Sequence, residues 1–147
     1  MHPRPRTTTD VIDLFNHAFV HHAPDVLDDL VAEDCVMESV QPAPDGERFE
    51  GREACLAFWR TLAADRTTGF GPEDVFVAGD RAAIRWRYRF GDGPADHVSG
   101  VNLMRVENGR IVEALGYSKT AGEVPLATDT LGSVPGSVSD AEVAARA

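Results

Sequence analysis

Asn102 is the residue most open to a chemical role, because it stands as a lone amide on a strand face that is otherwise apolar. From His97 to Val106 the chain alternates with a period of two around Gly100. Val101, Leu103 and Arg105 fall on one face, and Val98, Asn102, Met104 and Val106 on the other. A buried amide must find hydrogen-bond partners, and in a cavity that partner can be a ligand as well as a neighbouring protein group. On a different element, His17 and His21 stand one helical turn apart with His22 adjacent, a spacing that can seat a metal. Nothing elsewhere supplies a clear third ligand, so no metal site is expected. Gly69-Phe70-Gly71-Pro72 is too short, and lacks the strand-to-helix setting, to cradle phosphate. No cofactor is expected either.

The elements that must hold these residues follow from periodicity. Residues 1–8 read as a flexible lead. Thr9 or Asp10 can cap a helix carrying Val11, Ile12, Leu14, Phe15, Ala18 and Phe19 and ending near His22. Pro24 opens a short second helix, with Val26, Leu27, Leu30 and Val31 as its apolar stripe, reaching to about Glu33. A strand is predicted over Cys35 to Gln41, a turn over Pro42 to Glu47, and a brief return strand over Arg48 to Glu50. Arg52 to Ala64 has the apolar spacing of a third helix. Four strands come next: Thr67 to Ala78, Arg81 to Phe90, Asp96 to Glu107 and Arg110 to Lys119. Asn108-Gly109 between two apolar runs is a hairpin signal, since both central positions must tolerate positive φ. Helices followed by a meander give an α+β fold. The small residues, prolines and glycines of residues 120–147 predict a poorly ordered tail.

Composition narrows the function classes. The chain has 147 residues, 43% of them hydrophobic and 26% charged, which suits one soluble domain. A net charge of -10 argues against nucleic acid and against an anionic membrane surface, both of which need clustered Lys and Arg. No apolar run is long enough to span a bilayer, and the polar start MHPRPRTTTD lacks the apolar core of a secretory signal. The expected location is the cytosol. Cys35 and Cys55 each lie in an apolar segment and read as buried free thiols.

The order of elements, together with Asp34-Cys35-Val36-Met37-Glu38, Gly51-Arg52-Glu53 and Asn108-Gly109-Arg110-Ile111-Val112-Glu113, resembles the nuclear transport factor 2-like superfamily. Within it the chain looks most like the SnoaL-like and ketosteroid isomerase-like branch, over roughly residues 9–119. The resemblance implies a cone: three N-terminal helices packed on a curved antiparallel sheet that encloses an apolar pocket, often in a homodimer formed through the outer sheet face. Trp86 and Tyr88, on one face of the strand from Arg81 to Phe90, are then expected to face the pocket, with Trp59, Met37 and Met104. Arg85, Arg87 and Arg89 share the opposite face, as a solvated surface or as partners for carboxylates such as Glu113.

Carried over position by position, the helix tyrosine of ketosteroid isomerases falls on His17, the catalytic base on Ser39 and the strand acid on Asn102. Serine cannot abstract a carbon-bound proton unaided, so the isomerase's own chemistry is not expected. Glu38, one residue before the missing base, is the candidate general base or acid if a bulge turns it inward, where desolvation would suit it to proton transfer. His17 is the second candidate for moving a proton. Asn102 can donate to a carbonyl or developing enolate. Ser39 joins the pocket wall. Hydrolysis of the limonene epoxide type, which sets an Arg and two Asp around a water, finds no such set in Arg85-Trp86-Arg87 and Asn102. The expected activity is binding of an apolar, polyketide- or terpenoid-like molecule, with cofactor-free isomerisation or cyclisation if there is turnover. The alternatives are a non-catalytic ligand-binding or dimerisation module, or an epoxide hydrolase of the limonene type.

Overall fold

The computed structural model describes residues 5–119 and Gly122. The proposed tail over residues 120–147 lies outside the described residues, except for Gly122. Helix α1, Thr8–Val20, starts earlier than the sequence predicts, because Thr7 is its cap. The Thr7 hydroxyl accepts from the Asp10 amide at 3.1 Å, and the Asp10 carboxylate accepts from the Thr7 amide at 2.9 Å, a reciprocal capping box. Just before the cap, Arg6 is tied to Asp29 by a salt bridge of 3.2 Å.

The second predicted helix is a 3₁₀ helix, Pro24–Asp29, and stops sooner than expected. Val31 and Ala32 belong instead to strand β1, Val31–Glu38, because Val31 pairs with Ile111 and the Ile111 amide donates to the Leu30 carbonyl at 2.7 Å. Strand β2, Arg48–Glu50, and helix α2, Arg52–Ala64, follow as predicted. The meander consists of β3, Gly69–Ala78; β4, Arg81–Arg89; β5, His97–Glu107; and β6, Arg110–Ser118. The Asn108-Gly109 turn has φ of 53° and 73°, the two positive values its sequence calls for.

The six strands form one sheet in the order β2-β1-β6-β5-β4-β3. It is not wholly antiparallel: β1 runs parallel to β6, which joins the N-terminal part of the chain to the end of the meander. Between Val31 and Val36 the pairing slips, five positions on β1 against two on β6. The inner face packs on α1 and α2 through Val11, Ile12, Phe15, Leu56 and Trp59, and its deepest row, Ala82, Met104, Ala114 and Met37, is wholly buried. The outer face carries the arginines, with Arg85 paired to Glu73 and Asp74, and Arg87 to Glu73.

Cys35 on β1 and Cys55 on α2 are both free and fully buried. The Cys55 thiol donates to the Cys35 and Phe49 carbonyls at 3.6 and 3.7 Å. Burial pushes the Cys35 thiol far above its ordinary value of 9.0, with the Cys55 thiol and the Asp34 and Glu113 carboxylates acting in the same direction. Burial raises Cys55 as well. The folded protein therefore keeps these protons while the unfolded chain loses them above the ordinary thiol value. Stability contributed by the neutral thiols is complete below that value and is lost as pH rises past it. Denaturant melts between pH 8 and 10.5 should show a stability that falls with pH, and Cys35→Ala should make the fall shallower, by up to about 1.4 kcal/mol per pH unit at the alkaline end of the range.

Candidate functional site

The inner sheet face and the two helices enclose a cavity of about 490 Å³. Its walls are largely aromatic. Phe15 and Phe19 come from α1, Phe58 and Trp59 from α2, and Phe70, Trp86, Tyr88 and Phe90 from β3, β4 and the residue after β4. The rings brace one another: Phe15 meets Trp59 edge-on at 5.1 Å, Phe19 lies 5.7 Å from Phe70, and Phe70 lies 6.2 Å from Trp86.

Two glycines make the site possible. Trp86 pairs across the strands with Gly100, where a Cβ would come within 2.5 Å of the Trp86 ring and 2.3 Å of the Tyr117 carbonyl oxygen. Asn102 pairs with Gly116, where a Cβ would stand 3.3 Å from Asn102 Oδ1 and 3.0 Å from Val40 Cγ1. The bare backbone at Gly100 lets the indole lie across β5, where its N–H donates to Asn102 Oδ1 at 3.1 Å.

Of the residues singled out from sequence, the cavity wall gathers Glu38, Ser39, Met37, Trp59, Trp86, Tyr88 and Asn102. It does not gather His17 or Met104. His17 is exposed on α1 and stacks on His21 at 4.4 Å between ring centres, because the buried stripe of the helix runs through Phe15, Ala18 and Phe19 beside it. The polar residue that α1 does bury is its neighbour Asn16, 8% exposed, whose Oδ1 has no hydrogen-bond partner. Met104 is core, covered in the deepest row with Ala82 and Ala114.

Glu38 reaches the wall without its carboxylate turning inward. Its strand partners are Arg48 and Leu115, on the row opposite Met37, and its carboxylate holds Arg48 at 3.2 Å. The apolar setting expected to tune this acid is absent, since its side chain is about one-third exposed and paired with a cation. Ser39 is buried, but its hydroxyl is occupied, donating to the Gln41 carbonyl at 2.6 Å and accepting from the Glu47 amide at 3.1 Å. It fixes the loop between β1 and β2. Gly46 in that loop, at φ 75°, passes so close to Ser39 that a Cβ there would overlap the Ser39 carbonyl oxygen.

Sequence reasoning did not assign Phe15, Phe19, Phe58, Phe70, Phe90, Val98 or Gln41 to the site. The helical spacing of Phe15 and Phe19 marks them as buried, which is the only signal the chain gives for them. Among the described residues no cluster of three or more His, Cys, Asp or Glu can hold a metal, and no helix is long and apolar enough to cross a membrane.

A six-stranded mixed sheet wrapped around an aromatic cavity beneath two helices defines the nuclear transport factor 2-like class of proteins. A SnoaL-like domain model matches residues 11–114, and the chain belongs to that family. A nuclear transport factor 2-like protein of unknown function from Mesorhizobium loti is 51% identical, over 81% of this chain and 98% of that one, with a TM-score of 0.73. A candidate ketosteroid isomerase from Kribbella flavida has the same fold at 20% identity, covering 92% of this chain and 95% of its own, TM-score 0.67. A candidate polyketide cyclase from Sinorhizobium meliloti does so at 24% identity, covering 73% and 93%, TM-score 0.59. No curated protein matches the sequence.

The close approach of Trp86 to Gly100 gives a direct test of the site's construction. Gly100→Ala should lower stability by about 1–3 kcal/mol in urea melts and shift the Trp86 indole N–H resonance, as the ring is driven off β5. An unchanged resonance and melting curve would rule out the packing described.

Proposed function

We propose that this protein binds a neutral, apolar small molecule in the cavity beneath Trp59 and Trp86. The observation that carries this reading is the wall itself. Eight aromatic side chains surround about 490 Å³, and among its lining residues there is no Lys, Arg or His and one carboxylate, Glu38, which holds Arg48. A cavity of this size and character suits a drug-sized or multi-ring ligand, held mainly by removal of apolar surface from water. An ionised ligand would lose its hydration with no opposite charge to replace it. Isomerisation or cyclisation by acid/base chemistry would need a proton carrier aimed into this space; the uncharged polar side chains of the wall are those of Ser39, Gln41, Tyr88 and Asn102.

The neutral dye N-phenyl-1-naphthylamine tests the reading by its fluorescence on entering an apolar site. Binding should be saturable and weakened at least about tenfold by Val98→Trp, which fills the cavity. Glu38→Gln and His17→Ala should leave it within about twofold. Absence of saturable binding, or equal binding by the filled variant, would end this reading.

The outer sheet face supports a homodimer as the assembly. Leu103 and Leu115 pair across β5 and β6, with Ala83 and the exposed Phe76 continuing the row, and Val101 and Tyr117 lie on the next. Such a contiguous apolar band suits an interface between copies. Light scattering should give a dimer mass for the native chain and a monomer for Leu103→Glu; a native monomer would refute the assembly.

A further inference from the structure

Helix α1 carries a second group of chemistry-bearing side chains on the side away from its buried stripe. Asp13 and His17, with His21 at the C-cap, follow one another at intervals of four, and all three are exposed. The His17 and His21 rings stand 4.4 Å apart, centre to centre, with 37° between their planes. Among the described residues neither of these rings has a hydrogen-bond partner. The other two described histidines are engaged, His22 Nδ1 with the Ala63 carbonyl at 3.0 Å and His97 Nδ1 with the Pro94 carbonyl at 3.1 Å. The backbone beneath the pair is fixed, since α1 is closed at its start by the Thr7 and Asp10 capping box and seated along its length by Val11, Ile12, Phe15 and Ala18.

The ring separation decides which ion such a pair fits. An imidazole nitrogen bonds a transition ion at about 2 Å, which puts the ring centre about 3.2 Å from the ion. Two rings at a right angle about one ion then stand about 4.5 Å apart, and two at the tetrahedral angle about 5.2 Å. The observed 4.4 Å matches the right angle. Square-planar or tetragonal coordination by nitrogen and oxygen belongs to Cu²⁺ and Ni²⁺, and of the two Cu²⁺ binds a given nitrogen site more tightly. An ion of this kind can take two cis nitrogens from the protein and water at its other positions, so a third side chain is not required. Local charge favours a cation as well. His17 lies in the last turn of α1, where the helix dipole is negative, and Asp13 adds a carboxylate one turn away.

We propose that His17 and His21 form a bidentate surface site for a divalent transition ion, Cu²⁺ foremost, separate from the cavity and independent of its occupant. His17 then serves as a ligand, a role other than the proton transfer its place in the chain suggests. The site is built by one rigid element and needs only small rotations of two exposed rings to close on the ion.

Copper(II) chloride titrated calorimetrically into the full-length, untagged chain tests this, with His2→Ala as the background so that the terminal amine and His2 do not chelate the metal. One ion should bind per chain. His17→Ala and His21→Ala should each weaken it at least about tenfold, because a single imidazole remains, while His97→Ala should leave it within about twofold. Both ligands are exposed, so circular dichroism of the two variants should match the parent. Electron paramagnetic resonance of the copper-loaded protein should show two ring nitrogens, and one in either variant. Zn²⁺ should bind at least about tenfold more weakly than Cu²⁺. No saturable binding, a site kept at full affinity in both variants, or a spectrum without two ring nitrogens overturns the proposal. Zn²⁺ binding as tight as that of Cu²⁺ overturns the right-angled geometry on which the choice of ion rests.

Discussion

Strand β1 leaves the helical start of the chain with no neighbour close in sequence except the three-residue β2, and its hydrogen bonds must come from the far end of the meander. Its parallel pairing with β6 supplies them and makes two halves into one sheet. The cavity depends on this contact. It sets Met37 in the buried row with Ala114, and it brings Ser39, Val40 and Gln41 to the wall near Gly116 and Asn102. It also anchors the helices, since β1 packs on α2 and the two cysteine-bearing segments meet there without solvent.

Within that frame, the distribution of charge follows from desolvation. An ion enclosed by aromatic rings loses more hydration energy than a neutral wall can return. The acidic excess of the chain accordingly lies outside the cavity, matched in part by Arg48, Arg85 and Arg87 at the surface. What remains in the wall is mostly neutral polar groups, the hydroxyls of Ser39 and Tyr88 and the amides of Gln41 and Asn102, whose dipoles can be satisfied without a counter-charge, the Asn102 oxygen accepting from the Trp86 indole.

Much of this was legible from sequence. The meander announced itself through Asn108-Gly109 and the period-two runs, and parity along β4 and β5 correctly put Trp86, Tyr88 and Asn102 on one face. Non-local facts were not legible. No local pattern says that β1 runs parallel to a strand some seventy positions later, or that Val31 joins a strand in place of a helix. His17 and Asn16 are neighbours on a helix whose buried stripe is broad, and only packing decides which of the two turns inward. Met104 has the same parity as Asn102, but the helices cover its row and leave the next ones open, a matter of tertiary coverage that alternation cannot express.

The slip in β1 between Val31 and Val36 has a consequence for how such a scaffold changes its chemistry. Strand side chains alternate, so one residue more or fewer in that segment, with the later pairing to β6 kept in place by position, exchanges the inward and outward sets beyond it. Glu38 would then stand where Met37 stands after a deletion, or where Ser39 stands after an insertion, facing inward instead of toward Arg48. An insertion or deletion of a single codon in the part of β1 before the cavity wall separates a neutral receptor from one with a buried acid. The length of this strand is therefore as strong a determinant of chemistry as the identity of any residue in the wall.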